Sequence, residues 1–142
     1  MNLPVTREAI FKLQDALSTL PQVEIETRHY WADGVYCREM VMPEGTVVIG
    51  KVHKREHFFM VTKGRIRLAG NGETRDVEAP AVIVAQPGSK RAIIALTDSA
   101  CANIHRTFET DLEAIEREFL EPDETAMFDS SNKLRPPALE KL

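Results

Sequence analysis

The chain has 142 residues, 43% of them hydrophobic and 28% charged, and eighteen Lys and Arg against twenty-two Asp and Glu give a formal charge of −4. A chain of this length specifies one domain that can bury roughly two-thirds of its unfolded surface, so folding requires neither a disulfide framework nor a structural metal. No window approaches the ~20 apolar residues of a membrane span, and the opening Met1-Asn2-Leu3-Pro4-Val5-Thr6-Arg7-Glu8 lacks the basic-then-apolar order of a signal peptide, so a cytosolic protein without a membrane partner is expected.

The charge is unevenly spread. Residues 51–67 hold six basic side chains (Lys51, Lys54, Arg55, Lys63, Arg65 and Arg67) and one acid, Glu56, whereas residues 109–142 hold ten acids and four bases. A near-neutral total therefore hides a basic middle and an acidic end. The two cysteines, Cys37 and Cys101, lack a CxxC spacing and read as buried thiols.

In chain order, residues 1–22 read as an N-terminal helix segment. Thr6 can cap it, Ile10, Leu13, Ala16, Leu17 and Leu20 recur at three-to-four spacing, and Pro21 stops it. Residues 23–108 switch to short runs of Val, Ile, Thr and aromatics broken about every ten residues by turn signals such as Asp33-Gly34, Lys63-Gly64 and Pro87-Gly88. That texture predicts a sandwich or barrel of antiparallel strands. Gly70-Asn71-Gly72 is a hairpin turn by its tolerance of positive backbone angles, and Ile66 and Leu68 alternate with Arg65 and Arg67 to give one apolar and one basic face. Residues 109–142 return to a helix capped by Thr110, with Leu112, Ile115, Phe119 and Leu120 as its apolar stripe, followed by an extended tail containing Pro136-Pro137.

Four histidines occur. His29, next to Tyr30 and Trp31, reads as a surface or hydrogen-bonded structural residue. His53 and His57 bracket Lys54-Arg55-Glu56, and a short turn there would let both face one interior, while His105 lies in a third strand with Asn103 on its own face. Neutral imidazoles suit zinc, copper, iron and nickel, and two histidines from neighbouring strands plus one from a distant strand make a scaffold for a divalent metal. The same residues admit a metal-free reading. Arg91 and Lys90, with Lys51 and the three histidines, would line a cationic pocket for carboxylate or phosphate, with His57 and His105 able to move protons.

The run from Gly45 through His53 and His57 to Gly64 resembles the first motif of the cupin superfamily, G(X)5HXH(X)3-4E(X)6G, with Lys51 in place of the first histidine and His57 in place of the glutamate. An echo of the second motif spans Pro80 to Arg91, where Arg91 stands at the histidine position and Ala95 at the asparagine. The resemblance, over roughly residues 40–108, implies an all-β cupin-like jelly-roll barrel, the double-stranded β-helix, with the two terminal helices packed outside. It also implies a homodimer and one metal inside the barrel. The sequence is similar as well to small cupin-like proteins of unassigned activity encoded by bacteriophages and prophages.

Together these readings give a barrel with a site on His53, His57 and His105 for a divalent metal (Zn, Mn, Fe or Ni), and Lys51, Lys90 and Arg91 for a small anionic ligand. Hydrolase, isomerase and oxygenase chemistry all stay open, as do a metal-free protein sequestering a phosphorylated or nucleotide-like molecule and a non-enzymatic phage accessory protein. No GxGxxG, P-loop or G-x-S-x-G occurs. Phe58 and Phe59 read as core, not as base-stacking platforms, so nucleic acid is not an expected partner.

Overall fold

A computed structural model describes residues 2–123 and 125–135. The first helix, α1, spans Arg7–Leu17, and the strands are β1 (Glu26–Ala32), β2 (Val35–Met42), β3 (Val47–Ile49), β4 (His57–Lys63), β5 (Arg65–Gly70), β6 (Glu73–Glu78), β7 (Ala81–Ala85), β8 (Ala92–Ala95) and β9 (Ser99–Arg106). The second helix, α2, spans Leu112–Phe119. The strands form two antiparallel sheets, one ordered β1-β2-β9-β4-β7 and the other β3-β8-β5-β6. Two faced antiparallel sheets with crossovers between them make the expected jelly-roll barrel, with the helices flanking it.

Strand alternation decides which side chains fill the barrel. Phe59 and Val61 of β4, Ile66 and Leu68 of β5, Ile93 and Ala95 of β8 and Cys101 of β9 are almost fully buried in one cluster. Cys101 thus matches the buried-thiol reading. Cys37 does not: the two-residue period that turns Tyr36 and Arg38 inward turns Cys37 outward, and it is only partly buried.

Local chemistry sets the turns and caps. Asn71 and Gly72 have φ of 53° and 79°, the left-handed pair that a two-residue hairpin between Gly70 and Glu73 requires. Gly64, between β4 and β5, has φ of 72°, and a Cβ there would lie 2.3 Å from the Asp98 carbonyl oxygen. Thr6 caps α1 as expected, its hydroxyl accepting from the Ala9 amide at 3.1 Å. The helix ends at Leu17 and not at Leu20, which is 56% exposed. Asp111, not Thr110, caps α2, because its carboxylate reaches the Ala114 amide at 3.0 Å and complements the positive helix end.

The helices do different work. Ile10 of α1 is fully buried with Leu3, Ala69 and Ala92, so α1 covers the outer face of the four-stranded sheet. Ile115 and Phe119 of α2 pack on Tyr36 of the five-stranded sheet. The chain from Lys54 and Val52 hydrogen-bonds to Phe119 and Glu121, and His53 bridges Leu120, which ties α2 to the barrel. Beyond α2, residues 121–123 and 125–135 form a strap in which Phe128 bridges Leu134 and the Asp129 amide donates to the Lys133 carbonyl at 2.8 Å. Pro136-Pro137 lie outside the described residues.

Part of the charge segregation in the sequence becomes ion pairing between the barrel, α1 and the acidic end. Lys51 meets Glu116 at 2.7 Å, Arg55 meets Glu118 at 3.1 Å, Arg7 meets Glu121 at 2.9 Å and Lys90 meets Asp123 at 3.5 Å. Exposed pairs contribute little singly, but the acidic end is the counter-surface of the basic barrel. No helix among the described residues is long and apolar enough to cross a membrane.

Candidate metal centre

The inner face of the five-stranded sheet is a grid set by register. Tyr36 on β2 lies opposite His105 on β9, and Arg38 lies opposite Asn103, which in turn lies opposite Phe59 on β4. Phe58 opposes Ile104, so its neighbour His57 falls beside His105 on the inward face. His53 arrives from outside the sheet. The bend at Lys54-Arg55 turns the chain between the two histidines, and the Gly88 amide donates to the His53 carbonyl at 2.8 Å. The anticipated turn therefore brings His53 and His57 to one interior.

The three imidazoles meet there. One ligand nitrogen from each of His53, His57 and His105 lies within 4.8 Å of the others. Their ring centroids are 4.1 Å apart for His53 and His57, 4.4 Å for His57 and His105 and 5.0 Å for His53 and His105, with planes near parallel. Nitrogens sharing an ion at about 2.1 Å stand roughly 3.0–3.5 Å apart, so the set could hold one metal once the stacked rings turn their lone pairs toward a common point.

The hydrogen bonds leave lone pairs available. His57 sits between two oxygen acceptors, its Nδ1 3.1 Å from the Arg55 carbonyl and its Nε2 3.0 Å from Asn103 Oδ1, so a neutral ring donates to one of them and keeps a lone pair on the other nitrogen. Nδ1 of His53 is buried without a hydrogen-bond partner among the described residues. Burial first, then His57, His105, Arg38 and Arg91, holds His53 well below the usual histidine range. Burial also lowers His57, against the opposing hydrogen bonds of Arg55 and Asn103. His105 is pushed down to about 3 by burial and then by His57, Arg55 and Arg38. Burial thus disfavours the charged form of all three rings, and the neutral form is the one that ligates a metal. The donor set fits a borderline divalent ion.

The triad opens into a cavity of about 610 Å³. Its floor is apolar, with Met40, Val48, Phe59 and Ile93, while α2 and the strap, through Phe119, Met127 and Phe128, line the other side. Such a volume and lining suit a small organic molecule.

The other expected site residues have separate fates. Arg91 lines the cavity with its Cζ 5.9 Å from the Phe59 ring, and its Nη1 is buried without a partner among the described residues. Lys51 lines the cavity too, but its ammonium is held by Glu116. Lys90 is not among the lining residues. It is 1% exposed and donates to Gln14 Oε1 at 2.6 Å, beside Asp123 and 4.3 Å above the Phe11 ring. His29 is structural, its Nδ1 2.7 Å from the Tyr36 hydroxyl. Glu56 is exposed and accepts from Gln86.

Arg38, Tyr36, Glu116 and Phe119 were not singled out from the sequence, yet all four line the cavity. Arg38 carries a signal in retrospect: it alternates with Tyr36 and Met40 on a strand whose inward phase is set by its pairing with β9.

Fold and triad together define a cupin-like jelly roll with a histidine cluster that could hold a metal ion. No protein-family model matches the sequence, and no curated protein matches it. Among solved structures, KdgF from a Halomonas species is similar, at 15% identity and a TM-score of 0.53, with 62% of this chain and 84% of that one covered. A cupin superfamily protein from Desulfitobacterium hafniense is similar at 13% identity and a TM-score of 0.51, covering 63% and 85%. The cupin domain of Schizosaccharomyces pombe Cnp3 is similar at 16% identity and a TM-score of 0.51, covering 71% and 76%. These likenesses bear on the fold; the reaction has to be argued from the site.

Proposed function

We propose that the chain binds one divalent metal, Zn, Mn, Fe or Ni, on His53, His57 and His105, and a small anionic molecule in the cavity beside it. The observation that carries this reading is the meeting of three imidazoles, one with a buried Nδ1 that has no partner among the described residues, in a cavity that Arg91 also lines. A metal there would polarise a carbonyl or phosphoryl oxygen or activate water. The protein's own contribution is positional. The Arg55 carbonyl and Asn103 Oδ1 hold the His57 ring from either side, Phe119 holds His105 face to face, and Arg91 offsets the charge of an anion. Lys51 reaches the ligand only by sharing its ammonium with Glu116, and Lys90 supports α1 and the strap.

The test is metal analysis of the purified protein with thermal melts in chelator and in each of the four metals. Stoichiometric metal and a rise in Tm are expected. No bound metal and an unchanged Tm would overturn the reading. A second reading draws on the partly buried guanidiniums of Arg38 and Arg91: a metal-free protein, of phage origin in this proposal, that sequesters a phosphorylated or nucleotide-like molecule. His57 and His105 then serve as hydrogen-bonding or proton-accepting groups. A homodimer is part of either reading, supported by the exposed apolar outer face of the five-stranded sheet at Phe58, Val82 and Val84.

A further inference from the structure

We propose that Arg38 and Arg91, one from each sheet, form an oxyanion subsite that grips a carboxylate or phosphate group of a ligand whose other end lies against the imidazoles. This rests on reading the cavity as a ligand site, and it adds a residue and a ligand shape to that reading.

Phe59 is the common landmark. Arg38 sits in the inward row Arg38–Asn103–Phe59 of the five-stranded sheet, one inward step along the strands from the row of Tyr36, His105 and His57. Arg91 enters from the other sheet, immediately before β8, with its guanidinium 5.9 Å from the Phe59 ring. Successive inward positions on a strand are about 7 Å apart and facing sheets about 10 Å, so a small molecule can touch both arginines and the histidines. Both arginines also act electrostatically on His53.

Their donors are not used up. Nη2 of Arg38 donates to the Ser130 carbonyl of the strap at 2.6 Å, but Nη1 stands 3.9 Å from a Glu116 oxygen that already accepts from Lys51 at 2.7 Å. Nε of Arg38 is buried and without a hydrogen-bond partner, as is Nη1 of Arg91, which makes no ion pair among the described residues. Buried guanidinium N–H groups are matched by a planar or tetrahedral oxyanion, which satisfies donor and charge together. Met40, Val48, Phe59 and Ile93 line the same cavity and offer apolar surface to the middle of a ligand, with Asn103 the polar neighbour in the row of Arg38 and Phe59. The ligand class is therefore a molecule with an oxyanion at one end, a short apolar spacer and an oxygen donor at the other.

Calorimetric titration of the full chain, both chelator-treated and metal-loaded, with succinate, glutarate, butyrate and inorganic phosphate tests this. The dicarboxylates should bind more tightly than butyrate, and the phosphate arm shows whether the subsite prefers a tetrahedral group. Arg38→Gln and Arg91→Gln should each weaken binding of the preferred anion by about tenfold or more. Metal stoichiometry should not change. Arg38→Lys, which keeps the charge and loses the fork, should fall between wild type and Arg38→Gln and guards against a folding defect. Absence of any anion binding at millimolar concentration, in both forms, overturns the proposal, and so does anion binding unaffected by the Arg38 variants. Loss of anion binding in the variants of a protein that takes up no metal would uphold the subsite and overturn the metal reading alone.

Discussion

His105 stacks on Phe119 with ring centroids 4.0 Å apart and planes 16° from parallel. The Arg55 guanidinium lies 4.7 Å from the centroid of the same phenyl ring, so a residue of α2 joins a strand histidine to the turn between His53 and His57. Phe119 is 2% exposed and packs with Tyr36 and Ile115 as well. The helix is therefore part of the site, and its apolar stripe both holds the fold and orients a candidate ligand.

Phe119→Ala should lower stability by about 3–5 kcal/mol, the cost of emptying a buried aromatic position. Phe119→Leu should cost less while still removing the stack on His105. Urea unfolding measures both. If the stack positions His105, Phe119→Leu also weakens metal binding in calorimetry, and unchanged affinity would show that the ring only fills space.

Removing any one imidazole should lose the metal. Metal at a hundred times its Kd stabilises by about 2.7 kcal/mol, roughly 10 °C in Tm for a domain of this size. His53→Ala, His57→Ala and His105→Ala should each remove that increment, read as the Tm difference between metal and chelator. A variant that keeps the full increment would exclude its histidine from the ligand set.

The strap should have an acid-sensitive latch. Burial would raise the Asp123 carboxyl, but hydrogen bonds from Thr125 and Gln14 and the Lys90 charge outweigh it, so its pKa lies below the ordinary 3.8. A carboxyl depressed on folding contributes fully above its unfolded value and loses that contribution as pH falls through the folded value. Asp123→Asn should therefore cost about 1–3 kcal/mol at pH 7, with the gap to wild type closing below about pH 4. Denaturant melts at pH 7 and pH 3 check this. A gap that is the same at both would mean the carboxylate charge does not contribute.

A dimer should form through the outer face of the five-stranded sheet. Phe58 pairs with Val84 across β4 and β7, and the two are each 49% exposed, with Val82 at 60%. Val84→Lys should convert a dimer into a monomer in sedimentation equilibrium with little loss of thermal stability. A wild-type monomer at micromolar concentration would overturn the expectation.

Much of the barrel was legible because alternation, turn glycines and caps are local. Asn71-Gly72, Thr6 and the phase of Ile66 and Leu68 behave as residue chemistry requires. So was the pairing of His53 with His57, since only a short turn separates them. Arg38 and Phe119 could not be placed in the site without knowing that β2 pairs with β9 and that α2 packs over Tyr36. Lys90 shows the converse: its neighbour Arg91 lines the cavity, while Lys90 turns to Gln14 and Asp123.

By itself, then, the sequence determined the strand-and-turn texture, the two-residue phase of β5 and the segregation of bases from acids. Only the tertiary structure decided which histidine faces which, which cations line the cavity and which are neutralised by the acidic end. Period and propensity act over a few residues, whereas register, sheet facing and ion pairing depend on partners many tens of residues away.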